Sequence, residues 1–87
     1  MTREELLQQF NAAVNDSKLL SSKPDNGTLL ELYSLYKQAT EGDAPEQGGY
    51  GMFDFVGKAK HEAWLRRKGM EQLAAMQEYI TLVNSLK

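Results

Sequence analysis

The sequence predicts an all-α protein, most simply four helices packed around one core. Three observations carry this. No segment alternates apolar and polar residues with period two, and apolar residues instead recur at helical spacing in four stretches. Residues that start or stop helices stand at the edges of those stretches, among them Thr2, Asp25, Gly42 and Gly69. An α-only pattern of this size buries its apolar stripes helix against helix.

The first helix opens on TREE, a capping box in which Thr2 accepts from the backbone N–H of Glu5 and Glu5 reaches back. Leu6, Phe10, Ala13 and Val14 form its stripe, which fades in the polar run Asn15, Asp16, Ser17, Lys18. SSKPDNG reads as a connector, because Pro24 disfavours helix at Lys23 and Asp25 is a good N-cap for the second helix. From Gly27 onward, Leu29, Leu32, Tyr33, Tyr36 and Ala39 or Thr40 fit the helical period, and Gly42 stops the helix. GDAPEQGGYG, with Pro45 and four glycines, is a long loop of the kind that is functional or mobile in compact domains. Phe53 and Phe55 lead into a third helix over residues 57 to 68, with Ala59, Ala63 and Trp64 inward and Gly69 as its end. The fourth runs from about Glu71, with Leu73, Met76, Ile80, Val83 and Leu86 or Lys87 near the helical template.

At 87 residues the chain is expected to form one domain over residues 1–87. Its hydrophobic fraction of 41% and charged fraction of 25% are those of a globular protein, neither disordered nor membrane-embedded. The absence of cysteine removes disulfides, thiolate metal sites and a cysteine nucleophile together. MTREELLQQF has an acidic pair where a secretory signal would be basic and then apolar, and no stretch is long and apolar enough to span a bilayer. A cytoplasmic protein without stable membrane insertion is the simplest expectation. The formal net charge of -2 gives no long-range attraction to nucleic acid, although GKAKHEAWLRRKG sets Lys58, Lys60, Arg66, Arg67 and Lys68 against Glu62 alone.

Few residues suggest chemistry. His61 is the single histidine, no serine nucleophile is poised by an acid, and no convergent metal ligands can be named, so no catalytic residue and no metal site are assigned. Trp64 among alanines at helical spacing reads first as a core anchor, and Lys60 four residues before it has its stem along the same face. YSLYKQATEGD is more pointed. Tyr33 and Lys37 share one helix face with Tyr36 a step round the cylinder, a pattern that surface helices also show by chance. With Lys60 on another helix and a glycine-rich loop between them, these are parts for holding a phosphorylated, aromatic ligand: lysines neutralise phosphate, and a tyrosine ring stacks on a base.

The run YSLYKQATEGD followed by MFDFVGKAKHEAW resembles the acyl-CoA-binding protein family, whose members carry YxxYKQAT-GD and GM-DF-GKAK-xAW segments in that order. The likeness covers nearly the whole chain, from Phe10 through Lys23 and Pro24 to Glu78, Tyr79 and Ile80. It implies an up-down-down-up four-helix bundle that binds long-chain acyl-CoA thioesters without turning them over, with no cofactor and acting as a monomer. Carried over by position, the ligand contacts fall on Lys18, on Tyr33, Ser34, Leu35, Tyr36 and Lys37, on Lys60 and on Tyr79. In the family the lysines and the first tyrosine gather around the ribose 3′-phosphate, the adenine lies against aromatic side chains, and the acyl chain occupies an apolar groove. Lys18 and Tyr79 come from the resemblance alone.

Three features depart from the family pattern. The loop APEQGGYG is one residue longer than usual and lacks the Arg-Pro that often precedes Gly-Met. His61 replaces a common tryptophan, and Val56 fills a position that is lysine in some relatives, so no ligand contact is carried over to it. One rival uses the same residues, a helical adaptor whose Tyr and Lys face binds an acidic protein segment; an enzyme reading, a thioesterase for instance, ranks third because no nucleophile and base are visible.

Overall fold

The computed structural model describes residues 2–87. Four helices form: α1 (Arg3–Ser17), α2 (Asn26–Glu41), α3 (Phe55–Leu65) and α4 (Gln72–Leu86), with no strand among the described residues. The expected all-α class holds.

The caps explain where the helices begin. Thr2 accepts from Glu5 N at 3.1 Å, and its hydroxyl donates to Glu5 Oε1 at 3.1 Å, so the capping pair closes side chain to side chain. Asp25 caps α2 through Thr28 N at 2.7 Å. The third helix starts earlier than expected because Asp54 is its N-cap, accepting from Gly57 N at 2.9 Å, which draws Phe55 and Val56 into the first turn. It also ends earlier. After Leu65 the bonding contracts to three-residue steps, with Arg67 N on Trp64 O at 2.9 Å, Lys68 N on Leu65 O at 3.1 Å and Met70 N on Arg67 O at 2.9 Å. Gly69, at φ +89°, then turns the chain into α4.

Side-chain pairs fix the directions of the helices. Lys60 lies over Tyr33 and Lys37 over Trp64, so numbers rise together along α2 and α3 and the two run parallel. Gln72, at the start of α4, donates to the carbonyls of Ala39 and Thr40 at the end of α2, which makes that pair antiparallel. Arg3 and Leu7 share a cleft with Gln72 and Leu73, while Lys87 pairs with Asp16 at 2.6 Å, so α1 and α4 run side by side in one direction. The order is up-down-down-up. A parallel α2 and α3 force the connection to travel back along the bundle. For a helix of 16 residues that distance is about 24 Å, or at least about seven extended residues, and the long loop supplies them.

The packing order is α1, α4, α2, α3, a row and not a square, which gives the Cα trace its extents of 41 × 30 × 15 Å. The shared core joins Phe10 and Ala13 of α1, Leu32, Leu35 and Ala39 of α2, and Ala75, Tyr79, Ile80 and Val83 of α4. Two residues of the expected stripes lie at the surface, Tyr36 at 39% and Leu73 at 38% exposed; on α4, by contrast, Ala75 and Val83 are wholly buried. Helix positions i and i+2 point about 200° apart, so a stripe that buries Ala75 turns Leu73 outward.

Candidate ligand site

On α2 the angular positions of the tyrosine run decide what each residue can reach. At about 100° per residue, Tyr33, Tyr36 and Lys37 fall on one arc, whereas Ser34 and Leu35 swing away from it. Ser34 is buried, donates to Glu31 O at 2.9 Å and accepts from Arg67 Nε at 3.1 Å. Leu35 joins the core. Both brace the helix from within.

Across the parallel α2–α3 pair, aromatic rings and ammonium groups alternate. Lys60 Nζ lies 5.3 Å from the Tyr33 ring centroid, and one turn on Lys37 Nζ lies 4.9 Å from that of Trp64. Lys37 also pairs with Glu41, and that hydrogen bond raises its pKa against the opposing effect of desolvation, so it stays protonated. The Trp64 ring is held in place by its Nε1, which donates to Gly42 O at 2.8 Å. Trp64 is thus buried, as expected of an anchor, and is also the shelf beneath a cation.

The long loop is tied down beside this ladder. Gln38, fully buried, donates through Nε2 to Asp43 Oδ1 at 2.9 Å and to Met70 O at 2.8 Å, and Gly69 N donates to the same Asp43 oxygen at 2.9 Å. The Gly69 N–H, and then the Gln38 amide, hold the Asp43 carboxyl below its usual value. Further along, His61 Nε2 donates to Pro45 O at 2.6 Å, and the Tyr50 ring lies tilted against the imidazole at 5.6 Å. His61 is therefore a buried packing residue that fastens the loop.

Two cavities flank the ladder. One of about 240 Å³ is walled by Tyr33, Tyr50, Asp54, Lys60, His61 and Trp64 together with glycines of the loop. The other, about 360 Å³, lies between the first turns of α2 and α3 and is walled by Leu29, Leu30, Phe55, Val56, Ala59 and Lys60. Lys60 borders both. A cation between a polar recess and an apolar groove suits an amphiphile with an anionic head. A larger cleft of about 460 Å³ opens between α1 and α4 around Arg3, Leu7 and Leu73, and none of the sequence-predicted site residues lines it.

The remaining predicted residues form a second group. Tyr36 stacks on Phe10 at 6.0 Å between centroids and lies 6.4 Å from the Tyr79 ring. Tyr79 is buried, and its hydroxyl donates to Ser17 Oγ at 3.1 Å, next in sequence to Lys18, the exposed C-cap of α1. Sequence reasoning missed the Gln38–Asp43–Gly69 node and the roles of Tyr50 and His61. The Gly-Asp pair closing YSLYKQATEGD was the signal for the first of these.

Residues 7–83 match the family model described as Acyl CoA binding protein. This chain belongs to the acyl-CoA-binding protein family. An acyl-CoA-binding protein homolog of Drosophila melanogaster is 47% identical over 79 residues, covering 91% of each chain. The acyl-CoA-binding protein of Saccharomyces cerevisiae is 44% identical over 82 residues, covering 94% of this chain and 90% of its own. Among solved structures, Oryza sativa acyl-CoA-binding protein 2 superposes with a TM-score of 0.83 at 36% identity, covering 93% of this chain and 89% of that one. The acyl-CoA-binding protein fold thus accounts for the four helices and their order. Among the described residues no three His, Asp or Glu side chains gather as a metal site, and no helix is long and apolar enough to cross a membrane.

Proposed function

We propose that this protein binds medium- to long-chain fatty acyl-CoA esters with high affinity and carries or buffers them, as a monomeric, non-enzymatic single domain of the cytoplasm. The observation that carries the reading is Lys60, which borders the polar recess and the apolar groove at once, in a chain of this family. Lys37, Lys60 and Tyr33 take the ribose 3′-phosphate. Tyr36, exposed and backed by the buried Tyr79, offers an aromatic face to the adenine, with Lys18 beside it, while Ser34 and Leu35 hold the helix that presents the contacts. The acyl chain enters the groove lined by Leu29, Leu30, Val56 and Ala59. The ligand is the ester itself, with no cofactor.

Magnitudes fit this division of labour. At roughly 0.8 kcal/mol per buried methylene, ~12 methylenes supply about 10 kcal/mol before ordering costs. Charge-assisted and stacking contacts add about 1 to 3 kcal/mol each, so submicromolar dissociation constants are reachable after the cost of association. Calorimetric titration with palmitoyl-CoA against free CoA is the test. Tight binding of the ester and weak binding of CoA are expected; equal heats for both, or release of free thiol on incubation, would overturn the reading.

A further inference from the structure

One wall of the polar recess beside the ladder comes from the long loop and carries Tyr50; the other walls include Tyr33 of α2 and Lys60, His61 and Trp64 of α3. Two donors in this recess have no partner. Of the four tyrosine hydroxyls, that of Tyr79 alone is hydrogen-bonded among the described residues, which leaves the Tyr50 hydroxyl unused. The Lys60 ammonium lies over the Tyr33 ring but is in no ion pair among the described residues. Asp54, the one carboxylate in the wall, is engaged at Oδ1 by Gly57 N at 2.9 Å.

The surroundings of Tyr50 fix where its phenol stands. The His61 imidazole packs against the ring at 5.6 Å between centroids, and His61 is itself anchored by donating to Pro45 O at 2.6 Å. Gly48 lies close to both rings: a Cβ there would stand 2.5 Å from Tyr50 Cδ1, closer still to Tyr50 Cε1 and 3.0 Å from His61 Cγ. Glycine is what lets the backbone pass so near. The arrangement has a cost, because His61 Nδ1 is buried without a partner. Packing for stability alone does not favour such a group, whereas packing that aims a functional side chain tolerates it.

We infer that Tyr50 is a further ligand-contact residue, its hydroxyl donating to the phosphate that Lys60 neutralises, with His61 and Gly48 as the residues that position it. The inference deepens the acyl-CoA reading and rests on it. At about 240 Å³ the recess is smaller than pockets that enclose a whole ligand, so it takes one part of the ester. Its chemistry selects the part. An ammonium and a phenol O–H are two unused donors, and the group that satisfies both is an acceptor carrying negative charge. An alkyl tail would leave both unsatisfied, and the apolar groove on the far side of Lys60 is there to take it. Tyr33 and Lys60, two of the three groups assigned to the ribose 3′-phosphate, line this same recess. With the Asp54 charge in the wall, a single ammonium holds an anion less firmly, and the phenol supplies a second, neutral donor.

Calorimetric titration of Tyr50→Phe with palmitoyl-CoA and with its 3′-dephospho analogue tests the contact, since this variant keeps the ring against His61 and loses only the hydroxyl. It is expected to bind palmitoyl-CoA about tenfold more weakly than the native chain and to bind the 3′-dephospho ester as the native chain does. Gly48→Ala pushes the phenol aside and leaves its chemistry intact. It should lower affinity for palmitoyl-CoA by a similar factor, and the double variant should lose little more than either. Unchanged binding of palmitoyl-CoA by Tyr50→Phe, an equal loss toward both esters, or fully additive losses in the double variant would each overturn the inference. A native chain that binds neither ester would sink the acyl-CoA reading and this inference with it. A native chain that prefers the 3′-phosphorylated ester, beside a Tyr50→Phe variant that prefers it as strongly, would leave that reading standing and remove Tyr50 from the site.

Discussion

The Lys37 ammonium lies 4.9 Å from the centroid of the Trp64 ring, on a different helix, while also pairing with Glu41. The ring beneath it is fixed by a hydrogen bond to Gly42 O, so the charge is presented from a rigid shelf and loses little freedom when an anion arrives. Lys60 over Tyr33 repeats the arrangement one turn away. Neither lysine belongs to the shared core.

Lys37→Ala and Lys60→Ala are therefore expected to weaken acyl-CoA binding by about 10- to 100-fold each, while thermal midpoints move by only a few degrees. Titration of each variant with an acyl-CoA and with its 3′-dephospho analogue checks the role. In the native chain the phosphate should confer a clear preference, and each variant should lose most of it. A preserved ratio would remove that lysine from the phosphate site.

A second expectation concerns acid stability. Asp43 has its pKa lowered by the Gly69 N–H and the Gln38 amide, with Lys68 adding a weaker attraction. A lowered folded pKa contributes stability that is fully present above the unfolded value of about 3.9 and is lost as pH falls through the folded value. Asp43→Asn should thus melt lower than the native chain at neutral pH, and the gap should close below about pH 4. Asp25, lowered by its Thr28 contacts, leaves a residual slope in the variant. A gap independent of pH would show that the loss is one of packing and not of charge.

How much of the fold and the site was legible beforehand depends on range in the chain. Thr2, Asp25 and Gly42 act on neighbours within a few residues, so their effects could be read directly, and the Tyr33–Lys37 spacing placed those side chains on one face. Asp54 as an N-cap was missed because Phe53 and Phe55 on either side suggested an apolar lead-in, whereas the helix start was decided by the bond to Gly57. The Leu73 error has a tertiary cause, since the buried phase of α4 is set by contact with both α1 and α2 and not by its own apolar pattern. The Gln38–Met70 bond joins residues 32 apart in sequence, and no local rule reveals it. Lys18 and Tyr79 were named from family resemblance alone. Their route to a common neighbourhood, through Ser17, needed the fold.

Gly57 offers a test of the cap that fixes the start of α3. A Cβ at this position would stand 2.5 Å from Asp54 Oδ2 and 2.9 Å from Asp54 Cγ, with Tyr50 Cβ at 3.1 Å. Asp54 could escape by rotating, which would break its bond to the helix N-terminus. Gly57→Ala should therefore lower stability by about 0.5 to 2 kcal/mol, the cost of a lost N-cap, despite the better helix propensity of alanine. Asp54→Ala should cost a similar amount, and the double variant little more than either. Additive losses in urea denaturation would refute the shared cause.

The last expectation concerns the tail of the ligand, where the groove geometry makes a graded prediction. Its walls are Leu29 and Leu30 on α2 and Phe55, Val56 and Ala59 on α3, so each methylene that finds them should tighten binding by up to about 0.8 kcal/mol, close to fourfold. The gain must end with the groove. Titrations from octanoyl-CoA to stearoyl-CoA should rise steeply and then flatten, and free palmitate, which lacks the nucleotide, should bind poorly throughout. Ala59→Phe sharpens the test by placing a ring in the groove at a half-buried position. Its plateau should arrive at a shorter chain, with binding of free CoA little changed because the added ring occupies the tail's space and not the phosphate's. An adaptor that recognises acidic protein segments would show no chain-length series at all. Equal affinity for octanoyl and palmitoyl esters in the native chain would therefore remove the groove from the mechanism, and an unmoved plateau in Ala59→Phe would place the tail elsewhere on the bundle.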